Sequence, residues 1–321
     1  MERPYRVIVD TDGGVDGALT LMYALLAPHI EVDGVVASPG AVGAAQAADN
    51  ALRLIRLCGA EGLVPVAVGE GCGPLPPLRD REAAAGGRNG LAGALLAPSA
   101  QRPLAEPAAA FLVRRANEAP GELALVIAAA PTQWPLALRL DPSVAGKFGV
   151  VSVAGGAALV PGDATPVAEA AFRAAPKAAA RLMATARPLV AAGLDVSSRL
   201  YLSRDDVARI ERLASPARER PARLLRKLFD AAAGLRPERA GARAGALPLR
   251  GVAAVLAATA PELFVFREWR ASVATEDGVT AGMVVADRRP DPSPDSGPYV
   301  RFCVDVEAEE ALERFVRVFA G

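Results

Sequence analysis

The sequence predicts an α/β fold: a doubly wound, mostly parallel sheet with helices on both faces. Short apolar runs of strand length recur along the first two thirds of the chain, and alanine-rich segments long enough for amphipathic helices lie between most of them. A glycine-bearing acidic turn follows the first run directly, in the place where open parallel sheets bind their ligands. At 321 residues, 52% hydrophobic and 22% charged, the chain can bury one large core. No internal repeat or linker divides it, so one domain over residues 1–321 is expected.

The strands are expected at residues 6–9, 32–37, 64–68, 123–128, 150–153 and 188–191. Residues 18–26 and 44–57 read as helices, the second ending before Gly59. Beyond Ser197 the texture changes to an Arg- and Ala-rich layer with helical spacing, in which residues 236–245 (RPERAGARAG) read as a loop. Residues 249–258 are apolar and helical. Residues 264–274 and 280–286 alternate as an antiparallel hairpin around Glu276, Asp277 and Gly278. A proline-rich loop over 288–298, a strand over 300–304 and a closing helix over 307–319 complete the chain.

Composition excludes several functions. Lys+Arg and Asp+Glu are equal at 36 each, which removes the bulk electrostatic case for nucleic acid or an anionic membrane. No apolar run reaches the roughly 18 residues of a membrane span, and the N-terminus has no basic-then-apolar leader, so a cytoplasmic location is expected. Cys58, Cys72 and Cys303 are odd in number and widely spaced, which supports neither a disulfide framework nor a zinc site. His29 is the only histidine, and it lies between a helix and a strand.

The chemistry is concentrated in residues 7–18, VIVDTDGGVDGA, where Asp10, Asp12 and Asp16 share one turn. Three acids so close repel one another, and a cation or polar ligand is the usual offset. Asp and Gly also build ordinary turns and helix caps. If no metal is present, either one acid is protonated with a raised pKa or an arginine from a neighbouring loop offsets the charge, and Arg88 and Arg173 are the candidates by position.

This turn, DTDGGVDGALTL, resembles the DTDPGxDDAxAL signature of the inosine-uridine nucleoside hydrolase family. Further strings follow in that family's order: NALRLIRLCG (50–59), VPVAVG (64–69), NGLAG (89–93), PGELALVIAAAPTQWPLALRLDP (120–142), VAGGAALVPGDATPVAEAAFRAAP (153–176), GLDV (193–196) and PELF (261–264). The resemblance implies a Rossmann-like domain with a mostly parallel sheet and a C-terminal antiparallel hairpin, assembled as a homodimer or homotetramer. It implies N-glycosidic hydrolysis of a ribonucleoside or related small molecule. In that family calcium holds the ribose diol and the attacking water. By the same resemblance Asp10 and the Thr132 carbonyl are calcium ligands, Asp12 is the water-activating base, and Asp16, Asp163 and Glu169 bind the sugar.

The departures are specific. Gly17 stands where the signature has a second aspartate ligand, and Ala246-Leu247-Pro248-Leu249 replaces the HDPL string that supplies the last ligand and a leaving-group histidine. Ala41, Gly86 and Ala171 replace further polar residues of the family's pocket. Calcium takes six to eight oxygens, so the incomplete set predicts no tightly held calcium and no cofactor. Two readings follow: hydrolysis with weak or no calcium dependence, or a non-catalytic homologue acting as a ligand-binding or partner subunit. The turn also resembles the DxDG motif of haloacid-dehalogenase-like phosphohydrolases. Gly14 at their Thr/Val place and the absence of any lysine before Lys147 argue against that class.

Overall fold

The computed structural model describes residues 3–71, 85–233 and 245–321. Cys72 and most of the expected loop at 236–245 lie outside the described residues. In chain order the elements are β1 (Tyr5–Thr11), α1 (Val15–Leu26), β2 (Ile30–Ala37), α2 (Ala44–Leu57), β3 (Val66–Val68), α3 (Ala108–Glu118), β4 (Leu123–Ala128), α4 (Gln133–Leu140) and β5 (Val150–Val153). Next come α5 (Ala170–Ala174), α6 (Pro176–Thr185), β6 (Leu189–Ala191), α7 (Leu194–Ser197), β7 (Tyr201–Leu202), α8 (Arg204–Leu213) and α9 (Glu219–Ala233). The remainder is β8 (Leu247–Pro248), α10 (Arg250–Thr259), β9 (Phe264–Val273), β10 (Val284–Asp287), β11 (Tyr299–Val306) and α11 (Ala308–Arg317).

Nine strands form one sheet in the order β10-β9-β11-β6-β5-β4-β1-β2-β3. From β11 to β3 all neighbours pair in parallel, and β9 pairs antiparallel with both β10 and β11. The expected C-terminal hairpin is therefore present, and β11 inserts between it and β6 to join it to the sheet. A short antiparallel pair, β7 with β8, was not foreseen. Its strands are two residues each, too short to leave a periodic signature.

Strand geometry explains why the core is double. Alternate residues of β1 face opposite sides, so Val7 and Val9 join one apolar cluster with Leu19, Leu225 and Phe315, while Ile8 joins another with Phe111 and Trp134. Helix α1 is apolar on nearly every face because it lies among α2, α9 and α10 as well as against the sheet. Among the described residues no helix is long and apolar enough to cross a membrane.

At the end of the sheet where β1 begins, the β1–β2 register shifts between Val7 and Ile8, leaving Asp33 as an unmatched bulge residue. Its side chain is 4% exposed and accepts hydrogen bonds from both Arg6 (2.7 Å) and Arg115. The next residue, Gly34, admits the buried Phe111 ring, since a Cβ there would lie 2.4 Å from Cζ. Asp33→Ala leaves two partly buried guanidiniums without this partner, although each keeps a second acid, Glu122 or Glu118. The expected loss is about 2 kcal/mol, read by urea denaturation.

Candidate active site

The acidic turn lies at the carboxyl end of β1. Thr11 Oγ1 accepts a hydrogen bond from Gly13 N at 3.3 Å, and Gly13 sits at φ +71°, where a side chain would be strained. Asp12 is half-buried and uses both oxygens, accepting from Gly14 N at 3.0 Å and from Ala41 N at 3.1 Å. Its carboxylate thus ties the turn to the loop after β2. That loop comes close because Gly40 has no side chain: a Cβ there would be 2.6 Å from Asp12 Cβ. Asn50, on α2, donates to both Gly13 O (2.8 Å) and Asn89 O (2.7 Å), so the NGLAG segment is fastened to the same turn.

Asp10 is 2% exposed and accepts a hydrogen bond from Ser38 Oγ at 2.6 Å. Burial pushes its carboxyl up to about 7, the Ser38 bond opposes the rise, and the charge of Asp12 adds to it.

Asp16 reaches across to α10. Its two oxygens accept from the backbone N–H groups of Arg250 and Gly251, each at 3.0 Å, so the acid caps the helix in the place a local side chain would take. Gly251 makes this approach possible, since a Cβ there would lie 2.2 Å from Thr20 Oγ1. The Arg250 guanidinium then pairs with Asp163 Oδ2 at 2.7 Å, with both side chains about one fifth exposed (21% each). Asp163 Oδ1 accepts from Ala170 N at 3.0 Å. Glu169 caps α5, accepting from Ala171 N (2.9 Å), Phe172 N (3.1 Å) and Gly156 N (3.2 Å). Its burial, with Asp163 beside it, pushes the carboxyl up to about 7 against the pull of Arg250.

The structure therefore gathers Asp10, Asp12 and Asp16 in one turn and links Asp16 through Arg250 to Asp163 and its neighbour Glu169. Thr132 is fully buried at the head of α4, in the segment after β4, the strand beside β1. Its hydroxyl accepts from Gln133 Nε2, which also donates to Glu70 O. His29 lies before β2, at the opposite end of the strands from the turn, and its carbonyl accepts from Tyr5 N. Burial and Arg314 lower its pKa.

Among the described residues, the arginine that enters the acidic cluster is Arg250. Arg88 is exposed, and among the described residues neither it nor Arg173 forms an ion pair. Position alone could not single out Arg250, because it follows a four-residue string in which every matching polar residue has been lost. Ser38 and Asp195 were also missed. Ser38 follows β2 directly, so a polar residue at a strand's carboxyl end was the available signal. Asp195, in the GLDV string, accepts from Ala158 N and Leu159 N and fixes the loop after β5.

The calcium that the resemblance implies does not fit these donors. Asp10 is bonded to Ser38. A Cβ at Gly17 would lie 2.1 Å from Thr11 Oγ1, so the space of that ligand is taken by another side chain. Leu247 is buried in β8, at 3% exposure, where the last ligand would stand. A hard cation needing six to eight oxygens lacks partners among the described residues.

Two predictions follow from the carboxyls. Asp10 has a folded pKa above its unfolded value, so its share of stability is complete below about pH 4 and is lost as pH rises through about 7. Asp10→Asn is expected to raise the melting temperature at pH 8 and to match wild type near pH 4; a lower melting temperature at pH 8 contradicts this. Asp16→Ala removes the cap of α10 and is expected to cost about 1 kcal/mol, read by chemical denaturation.

Residues 7–313 match the profile of the family described as inosine-uridine preferring nucleoside hydrolase. A probable uridine nucleosidase 2 from Arabidopsis thaliana is 30% identical over 87% of this chain and 85% of its own length. The non-specific ribonucleoside hydrolase RihC of Salmonella agona is 30% identical over 89% of each chain. Among solved structures, a plant nucleoside hydrolase superposes with a TM-score of 0.88 at 27% identity, covering 99% of this chain and 100% of its own. A purine-preferring ribonucleoside hydrolase from Gardnerella vaginalis gives 0.87 at 24% identity, covering 98% of each, which speaks to the fold. With a family profile matched across nearly its whole length, the chain belongs to the inosine-uridine preferring nucleoside hydrolase family.

Proposed function

We propose that this protein hydrolyses the N-glycosidic bond of a ribonucleoside or related compound slowly and without calcium, with Asp12 as the base that takes the proton of the attacking water. The supporting observation is the state of Asp12: half-exposed, oriented by two backbone N–H donors, and next to the buried Asp10 at the mouth of β1. Such a bond breaks through an oxocarbenium-like sugar, which negative charge stabilises. Asp12, Asp16 and Asp163 supply that charge. A carboxylate has about four acceptor positions, so Asp16 and Asp163 retain capacity for sugar hydroxyls beside their present bonds.

Rate is the weak point. Proton transfer by a positioned acid contributes roughly 10²–10⁴-fold, and the chain's one imidazole is at the far end of the sheet. A leaving group that departs without a proton escapes this loss. The relatives named for uridine or for non-specific ribonucleoside hydrolysis support a ribonucleoside-like ligand. The proposal extends to a cytoplasmic homodimer or homotetramer, which light scattering reads.

The alternative, a non-catalytic ligand-binding or partner subunit, is favoured by one observation. Each acid of the cluster already has a donor from within the protein. Wild type and Asp12→Ala, each assayed on inosine and on p-nitrophenyl riboside with and without EDTA, separate the two. Slow cleavage of the p-nitrophenyl substrate that EDTA leaves unchanged and Asp12→Ala abolishes is expected. Equal background rates for both proteins select the non-catalytic role, and rapid calcium-stimulated inosine turnover contradicts the proposal.

A further inference from the structure

Among the described residues, Arg250 engages acids from separate segments of the crevice. Its backbone N–H binds Asp16, from the turn after β1, and its guanidinium binds Asp163, from the loop after β5. Asp163 in turn adjoins Glu169, whose oxygens are spent on the backbone around α5 and Gly156. Arg250 thus fastens the loops after β1 and β5 to the start of α10. Its guanidinium does this for Asp163 with a charge that persists at any working pH and with a planar fork suited to carboxylates.

We propose that Arg250 is a resident cation of this crevice, a positioning residue on α10 whose guanidinium neutralises Asp163 and whose backbone N–H aligns Asp16, so that the two loops are held without a divalent ion. The inference deepens the calcium-independent reading above and accounts for how the acidic cluster persists with the donors at 17 and 247 lost. A guanidinium cannot replace everything. It has no open coordination position, so it organises the acids without acting as a Lewis acid on water.

The role predicts a response that an ordinary surface ion pair would not give. Removing the guanidinium leaves Asp163 and its neighbour Glu169 without that charge, and a divalent ion added from solution should then fill the gap. Wild type, Arg250→Met, Arg250→Lys and Arg250→Met combined with Asp163→Asn are melted with and without millimolar calcium, with magnesium as a second probe. Wild type is expected to be unmoved by calcium. Arg250→Met should melt several degrees lower and recover a clear part of that loss with calcium, while Arg250→Lys should stay close to wild type and calcium-silent. In the double variant the loss should shrink and the calcium response disappear, because the repulsion has been removed with Asp163.

The proposal is overturned if calcium raises the melting temperature of wild type, or if folded Arg250→Met melts like wild type. It is overturned equally if Asp163→Asn fails to rescue an Arg250→Met chain that does not fold. These readouts do not depend on turnover. A protein silent on every nucleoside, which would refute the proposed hydrolysis, leaves this test intact.

Discussion

The constraint on which this site depends is the mutual repulsion of carboxylates brought together at the carboxyl end of a parallel sheet. Two unit charges of like sign about 4 Å apart repel by roughly 4 kcal/mol at a dielectric typical of a protein surface, so a cluster of five acids needs definite compensation. Each acid here obtains it differently. Asp10 is driven toward its neutral form beside Ser38, Asp12 takes two backbone N–H groups, and Asp16 and Glu169 take the positive ends of α10 and α5. Asp163 receives a full positive charge, from Arg250.

The fold makes these solutions available. Crossover helices put their N-termini at the same edge of the sheet as the strand ends, and α10 meets α1 at the point where Gly251 lacks a side chain. A Cβ there would strike Thr20 Oγ1, so the Asp16 cap would open. The double core lies beneath this edge, with Phe172 fully buried next to the Glu169 cap. Interactions that give the fold its stability and interactions that balance the site are therefore the same few contacts at α1, α5 and α10.

Much of this was legible in the sequence because buried parallel strands announce themselves as apolar runs and because the acidic turn has no other reading as rich in chemistry. The strands of the main sheet and the closing helix were anticipated, and Thr132, Asp163 and Glu169 were expected in the cleft of the Asp10–Gly17 turn. Boundaries slipped where chemistry is ambiguous: α1 begins at Val15, three residues before its expected start, since Asp16 looked like part of the turn. The segment over 247–249 gives no periodic warning that β8 precedes α10. Arg250 was hidden for a deeper reason. Nothing local distinguishes an arginine that turns inward to a carboxylate 87 positions away from the many that stay in solvent.

The most direct test of this account is isothermal titration of calcium into the wild-type protein at neutral pH. Internal compensation of the acidic cluster predicts no saturable heat at micromolar calcium. A stoichiometric isotherm with micromolar or tighter affinity would show that a metal completes the site, and would contradict the claim that the protein's own donors and Arg250 already do so.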